Sequence, residues 1–282
     1  MSIEVRNVIK NYGSTCALDK VNLSFEDNKI YGLLGRNGAG KTTLLNIITN
    51  HIFADSGEIL IDGVSSVEND KALQKIYMMS EKNYYPEKMK IKEIYNWSKA
   101  FYPDFDMEYA LNISDQFELN INKNVKALST GFNSIFKVII ALSVNVPYIL
   151  LDEPVLGLDA NNRELFYSLL IDKYSKNACT IVISTHLIEE VSNVIENVII
   201  IKKGNIIKNE TREELLTKGY TISGAADKID RYVVGRNVIG TDILGGFKSA
   251  YIIGEPEKAQ MLQGLEITKM DLQKLFVQLT NA

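Results

Sequence analysis

The chain has 282 residues, 46% of them hydrophobic, and a formal net charge of −4 with acids and bases mixed along its length. That balance predicts a packed core, in one large domain or a principal domain with a smaller companion, and excludes a disordered chain. It gives no basic face of the kind that holds nucleic acid, so nucleic acid is not an expected partner.

Cys16 and Cys179 make no disulfide framework and have no Cys or His at metal-ligand spacing, so both read as ordinary intracellular thiols. The opening MSIEVRNVIKNYG lacks the apolar stretch of a secretory signal. VIIALSVNVPYILL (138–151) is interrupted by Asn145 and Pro147 and falls short of a membrane span. A soluble chain is expected, one that reaches a membrane only through a partner.

Ile3, Val5 and Val8, then Val21, Leu23 and Phe25, alternate with polar residues and predict two antiparallel strands. The apolar run Ile30 to Leu34 leads into a glycine-rich turn and a helix from about Lys41 to Asn50. EILIDG (58–63) reads as a strand ending on Asp-Gly. Residues 66 to about 145 are mostly helical in pattern, with breaks at Pro86 and Pro103. YILL (148–151) and TIVIST (180–185) have the texture of buried parallel strands, with helical spacing from Arg163 to Tyr174 between them. NVIIIKKGNIIKNE (197–210) predicts a hairpin about Lys203-Gly204-Asn205, and Thr211 with Glu214 forms a capping box. From Tyr220 short apolar runs separated by Gly pairs predict a small β-rich appendage. Thr268 would then cap a final amphipathic helix bearing Leu272, Leu275, Phe276 and Leu279.

The turn itself carries chemistry. Gly35-x-x-x-x-Gly40-Lys41-Thr42, with Asn37, Gly38, Ala39 and Thr43, fits the P-loop in its required context of strand, loop and helix. Glycines there let consecutive N–H groups turn inward as an anion nest at a helix N-terminus. Lys41 would reach the β- and γ-phosphates, and the Thr42 hydroxyl suits Mg²⁺. Asp152 and Glu153 close a buried strand in LLDEP (150–154). Asp152 is placed to hold Mg²⁺ through water, and Glu153 to polarise an attacking water.

The order P-loop, LLDEP, GLD (157–159) and STH (184–186) resembles the ATP-binding subunits of ABC transporters over about residues 1–217. The resemblance implies an α/β P-loop NTPase of the ABC ATPase type: a mostly parallel core sheet, an antiparallel β subdomain and a helical subdomain at about 78–145. Residues 218–282 would be an accessory region. By the same resemblance Tyr12 stacks on adenine, Asp159 belongs to a loop communicating between two sites, and His186 contacts the γ-phosphate. LSTGF (128–132) matches the family signature Leu-Ser-Gly-Gly-Gln at Leu128, Ser129 and Gly131 and departs at Thr130 and Phe132. Ser129 and Gly131 keep the hydroxyl and amides that a helix start can offer to a phosphate. No glutamine stands where the family's glutamine loop is expected. A gapless count from Tyr85-Pro86 puts Ser80 there and a one-residue shift puts Glu81. Glu81 is favoured because a carboxylate approaches Mg²⁺ or its water better.

One P-loop and one LSTGF per chain imply a head-to-tail pair of ATP-binding subunits, identical or homologous, driving an integral membrane permease. The resemblance thus implies ATP hydrolysis coupled to transport, with ATP and Mg²⁺ as cofactors and a cytoplasmic position on the inner face of the cell membrane. The helical stretch Ser80–Trp97, with Tyr84, Tyr85 and Pro86, is the expected docking surface. FYPDF (101–105) and the tail look similar to ATPases of small bacterial exporters of peptides or drugs. Competing readings are a catalytically weak subunit paired with an active homologue, and a soluble ABC ATPase outside transport.

Overall fold

Polar–apolar alternation builds the first sheet. In a computed structural model describing residues 1–256 and 264–281, β1 (Ser2–Tyr12) and β2 (Thr15–Glu26) pair antiparallel with Ile3 opposite Phe25 and Val5 opposite Leu23. All four side chains are buried. β3 (Ile30–Leu34) is apolar throughout and buried throughout, and the glycine turn after it opens α1 (Lys41–Ile48). β4 (Ser56–Ile61) and β5 (Val64–Ser65) join the first sheet in the order β2-β1-β4-β5. Asp62 and Gly63 both take positive φ, 52° and 78°, which is the turn geometry a two-residue hairpin favours.

The segment read as mostly helical holds α2 (Asp70–Leu73), α3 (Ile91–Phe101), α4 (Met107–Gln116) and α5 (Thr130–Ser143), but also a strand, β6 (Ile76–Met79). Four apolar residues, IYMM, are too few for periodicity to separate strand from helix. Their tertiary setting decides, because β6 pairs parallel with β7 (Tyr148–Asp152). Next come α6 (Ala160–Lys176), β8 (Thr180–Thr185), α7 (Ile188–Val191), β9 (Asn197–Lys202) and β10 (Asn205–Thr211). The central sheet has the order β10-β9-β3-β8-β7-β6, parallel except for the β9–β10 hairpin.

Both faces of that sheet are covered, which is why its strands read as unbroken apolar runs. Along β7, Tyr148 and Leu150 face α1 and the first sheet, while Ile149 and Leu151 face the helical segment. Asp62 fastens the first sheet to this one by accepting from the Tyr148 hydroxyl at 2.6 Å and from Lys75 Nζ at 2.5 Å. No helix among the described residues is long and apolar enough to cross a membrane.

α8 (Arg212–Thr217) starts with the expected capping box between Thr211 and Glu214. The appendage holds β11 (Gly219–Ala225), α9 (Ala226–Tyr232), β12 (Asn237–Leu244), β13 (Phe247–Ile253) and β14 (Glu266–Lys269), an antiparallel sheet in the order β12-β13-β11-β14. Alongside the expected strands, α9 is an addition: its Ile229 and Tyr232 make a small core with Ile222, Ala250 and Ile252. In the last helix, α10 (Leu272–Asn281), the cap differs from expectation. Thr268 is a residue of β14, and the Asp271 carboxylate instead accepts from Lys274 N at 2.7 Å. Leu272, Leu275 and Phe276 of α10 join the main core with Ile188 and Val191 of α7. Two polar contacts hold the far end of α10: Lys202 Nζ donates to Leu279 O and Arg36 Nη1 to Asn281 Oδ1, each at 3.2 Å.

Candidate functional site

The C-terminal ends of β3, β7 and β8 lie side by side in a parallel sheet, the place where open α/β sheets put ligands. Above β3, the P-loop backbone needs its glycines. Gly40 has φ 113°, and a Cβ there would stand 2.6 Å from Ala17 O. The chain then enters α1 with Lys41 buried at 6% exposure. Lys41 Nζ donates to Gly35 O at 2.7 Å and lies 3.6 Å from Glu153 Oε1. Burial pushes the Lys41 ammonium down, while Glu153 and Asp152 oppose the shift.

Asp152 is fully buried at the end of β7. Its carboxylate accepts from Thr42 Oγ1 and from Ser184 Oγ, both at 2.8 Å. Burial pushes its carboxyl up, and those two hydroxyls pull the other way. Glu153 turns into the left-handed region at φ 49°, a conformation costing a non-glycine residue about 1–2 kcal/mol. Its N–H donates to Ser184 O at 2.8 Å, and its carboxylate accepts from Thr185 Oγ1 at 2.9 Å and meets His186 Nδ1 at 2.9 Å. Local strain held by this many partners fixes the direction of one carboxylate.

These residues floor a cleft of about 500 Å³ lined by Tyr12, Thr15, Cys16, Ala17, Asn37 to Thr43, Glu81, Glu153, Leu156 and His186. Most of the residues singled out in the sequence are therefore brought together. Tyr12 stands at one side with its ring half exposed. Gly35 contributes its carbonyl to Lys41 rather than a wall, and Asp152 sits beneath Thr42. Between the two glutamine-loop alternatives the difference is clear: Ser80 is buried, and Glu81 is exposed and lines the cleft.

Ser129, Gly131 and Asp159 do not line this cleft. Ser129 caps α5, accepting from Phe132 N at 3.3 Å, and Asp159 caps α6, accepting from Asn162 N at 2.9 Å. The start of α5 touches the turn that leads into α6: a Cβ on Gly131 would lie 2.7 Å from Gly157 O, and Ser134 Oγ donates to Leu156 O at 2.7 Å. Phe132, which stands where the family has glutamine, is half buried against the main core. Sequence reasoning passed over Ser184 and Thr185 as partners of the acids. Their signal is two hydroxyls closing a β-branched strand, but only the register Asp152 opposite Ser184 gives it meaning.

A second, apolar cavity of about 570 Å³ opens on the helical segment, lined in part by Tyr77, Tyr85, Met89, Trp97 and Phe101. Trp97 and Phe101 are 54% and 71% exposed, an unusual cost for large apolar side chains on one rim. The expected docking residue Tyr85 lies in it, while Tyr84 points elsewhere, its ring 6.4 Å from that of His51.

Comparison with known proteins agrees with this fold. Residues 18–156 match the family model described as ABC transporter. The chain is 31% identical over 266 residues to the ABC transporter ATP-binding protein YtrB of Bacillus subtilis, covering 94% of this chain and 91% of that one. It is 29% identical to the petrobactin import ATP-binding protein YclP of the same organism, over 76% of this chain and 88% of YclP. Among solved structures, the dimeric bacterial ABC transporter cassette MJ0796 superimposes with a TM-score of 0.66 at 26% identity, covering 74% of this chain and 98% of the cassette. The same cassette in a post-hydrolysis state bound to ADP and Pi matches with a TM-score of 0.65.

Proposed function

This chain belongs to the ABC transporter family of ATP-binding subunits, an ATPase family, and from that premise we propose how its residues divide the work of an ATP-driven membrane pump. The single observation that supports the reading best is the meeting of Lys41, Thr42, Asp152, Glu153 and His186 at the ends of three parallel strands.

ATP binds with adenine against Tyr12 and its phosphates in the amides of Asn37 to Thr43, where Lys41 neutralises the β- and γ-phosphates. Mg²⁺ fits the donors present, because the Thr42 hydroxyl and Asp152 carboxylate are hard oxygen ligands, with Glu81 at the cleft wall near it or its water. Bound there, the ion would neutralise charge developing between the phosphates. Glu153 orients and polarises the attacking water, and His186, anchored on the Glu153 carboxylate, contacts the γ-phosphate.

Each site is completed by a second subunit set head to tail, identical or homologous. Ser129 and Gly131 of that neighbour close on the γ-phosphate, and Asp159 lies where the two sites communicate. Their position outside the chain's own cleft supports this. Closing with ATP and opening after hydrolysis is a population shift driven by γ-phosphate contacts. An integral membrane permease takes up the motion through the apolar cavity at Trp97 and Phe101, which places the subunit on the inner face of the cell membrane. Residues 1–217 form the working cassette, with 78–145 as its helical part and 218–282 as an accessory region.

Export of peptides or drugs is the direction we propose, from FYPDF and the appendage. The YclP match covers 76% of this chain, against 94% for YtrB. Two measurements test the whole. The purified chain should hydrolyse ATP with Mg²⁺, and Lys41→Ala should abolish it; unchanged turnover in that variant would sink the assignment. Pull-down from detergent-solubilised membranes should bring an integral membrane protein, and recovery of ribosomes instead would end the transport reading.

A further inference from the structure

α5 carries a lysine where its neighbours are apolar. From Ser134 to Ser143 every residue is buried, and Lys137 is 5% exposed within that run. A buried ammonium is costly unless its donors are met. Among the described residues no carboxylate lies within ion-pair distance of Lys137. Its Nζ donates instead to two consecutive main-chain carbonyls, Ser80 O and Glu81 O, each at 2.8 Å. A methionine would fill the same space without the charge, so packing alone does not account for it.

The loop held this way is the one whose Glu81 lines the nucleotide cleft and whose Tyr85 lines the apolar cavity. A second strap joins the same pieces. Asn83 Nδ2 donates to Asn133 Oδ1 at 3.1 Å, and Asn133 Nδ2 donates to Ser129 O at 3.1 Å. Ser129, eight residues before Lys137 and roughly 12 Å away along the helix, caps the start of α5.

We propose that Lys137 is a positioning residue for ATP hydrolysis: it locks the Glu81 loop to the helix that presents Ser129. The half-site a subunit keeps and the half-site it offers its neighbour then move as one body. This rests on the two-subunit site proposed above. Lys137 touches no reacting atom; it sets the geometry in which Glu81 and Ser129 reach theirs.

The test compares Lys137→Met, which keeps the stem and removes the charge, with Lys137→Arg. For Lys137→Met, a fluorescent ATP analogue should bind within about twofold of the unaltered protein while kcat falls about a hundredfold at similar KM, the scale of a small misplacement at a reacting centre. Lys137→Arg should restore part of that kcat. In a Glu153→Gln background, ATP-induced dimerisation followed by light scattering should need about tenfold more ATP once Lys137→Met is added.

If Glu153→Gln alone never dimerises with ATP, the two-subunit site fails and the role of Lys137 falls with it. If it dimerises while Lys137→Met leaves kcat and the dimer midpoint unchanged, Lys137 is a structural staple and the proposal alone is overturned. Parallel loss of affinity, turnover and melting temperature, without rescue by arginine, overturns it too. Should Lys137→Met fail to fold, Lys137→Gln is read in the same assays.

Discussion

The Thr42 hydroxyl donates to the Asp152 carboxylate at 2.8 Å, joining residues 110 positions apart across the end of β8. The bond holds an acid in full burial, and burial pushes its carboxyl above the ordinary 3.8. The folded state therefore keeps this proton to a higher pH than the unfolded chain does. The stability Asp152 contributes is whole below that ordinary value and is lost as pH rises through the folded value. Asparagine cannot ionise and does not lose it. Asp152→Asn should therefore melt higher than the unaltered protein near neutral pH, with the gap closing in acid, while ATP turnover is lost. Melting curves across a pH series decide it, and a variant that melts lower at every pH would refute the electrostatic account.

Glu153 is held by three side chains while its own backbone is strained. Glu153→Gln keeps the shape and removes the base, so phosphate release should drop by about 10²–10⁴-fold with ATP binding intact. His186→Ala frees one of those holds and should slow turnover less, again sparing affinity. Equilibrium binding and steady-state rates measured side by side separate the two effects. Wild-type turnover in Glu153→Gln would remove Glu153 from the mechanism.

Gly131 meets the Gly157 carbonyl where a Cβ would stand 2.7 Å from oxygen. Gly131→Ala should shift the start of α5 and with it Ser129. ATP-dependent dimerisation and turnover should both fall, while a single subunit still binds nucleotide. Size-exclusion chromatography with and without ATP reads this; normal dimerisation would show that the helix start is not part of the shared site.

Trp97 and Phe101 crown the apolar cavity from solvent. Replacing both with alanine should abolish copurification of the permease and leave ATP hydrolysis by the isolated subunit within about twofold, as exposed side chains away from the site carry little of either stability or chemistry. Retained copurification would place the docking surface elsewhere.

The strands were legible where burial on both faces left unbroken apolar runs, as in YILL and TIVIST, and where alternation marked Ile3, Val5 and Phe25. β6 escaped because IYMM acquires its identity only by lying beside β7. The cap of α10 was misread for a different reason. Thr268 and Asp271 are both good caps, and pairing of Thr268 with Thr221 in the appendage sheet removes the first. Within the site, Lys41, Thr42, Asp152 and Glu153 could be found from spacing. Ser184, Thr185 and Lys137 could not, since each acts on a partner from a distant stretch of chain whose register no local pattern encodes.

α10 has a bearing on how this protein is made. Leu272, Leu275 and Phe276 complete a core begun by Ile188 and Val191, and Lys202 and Arg36 close over the same helix. During synthesis Ile188 and Val191 leave the ribosome with that patch wet, and it is sealed only after α10 has emerged. Chains interrupted before α10 would thus expose a sticky surface on α7, ready targets for chaperones or proteases.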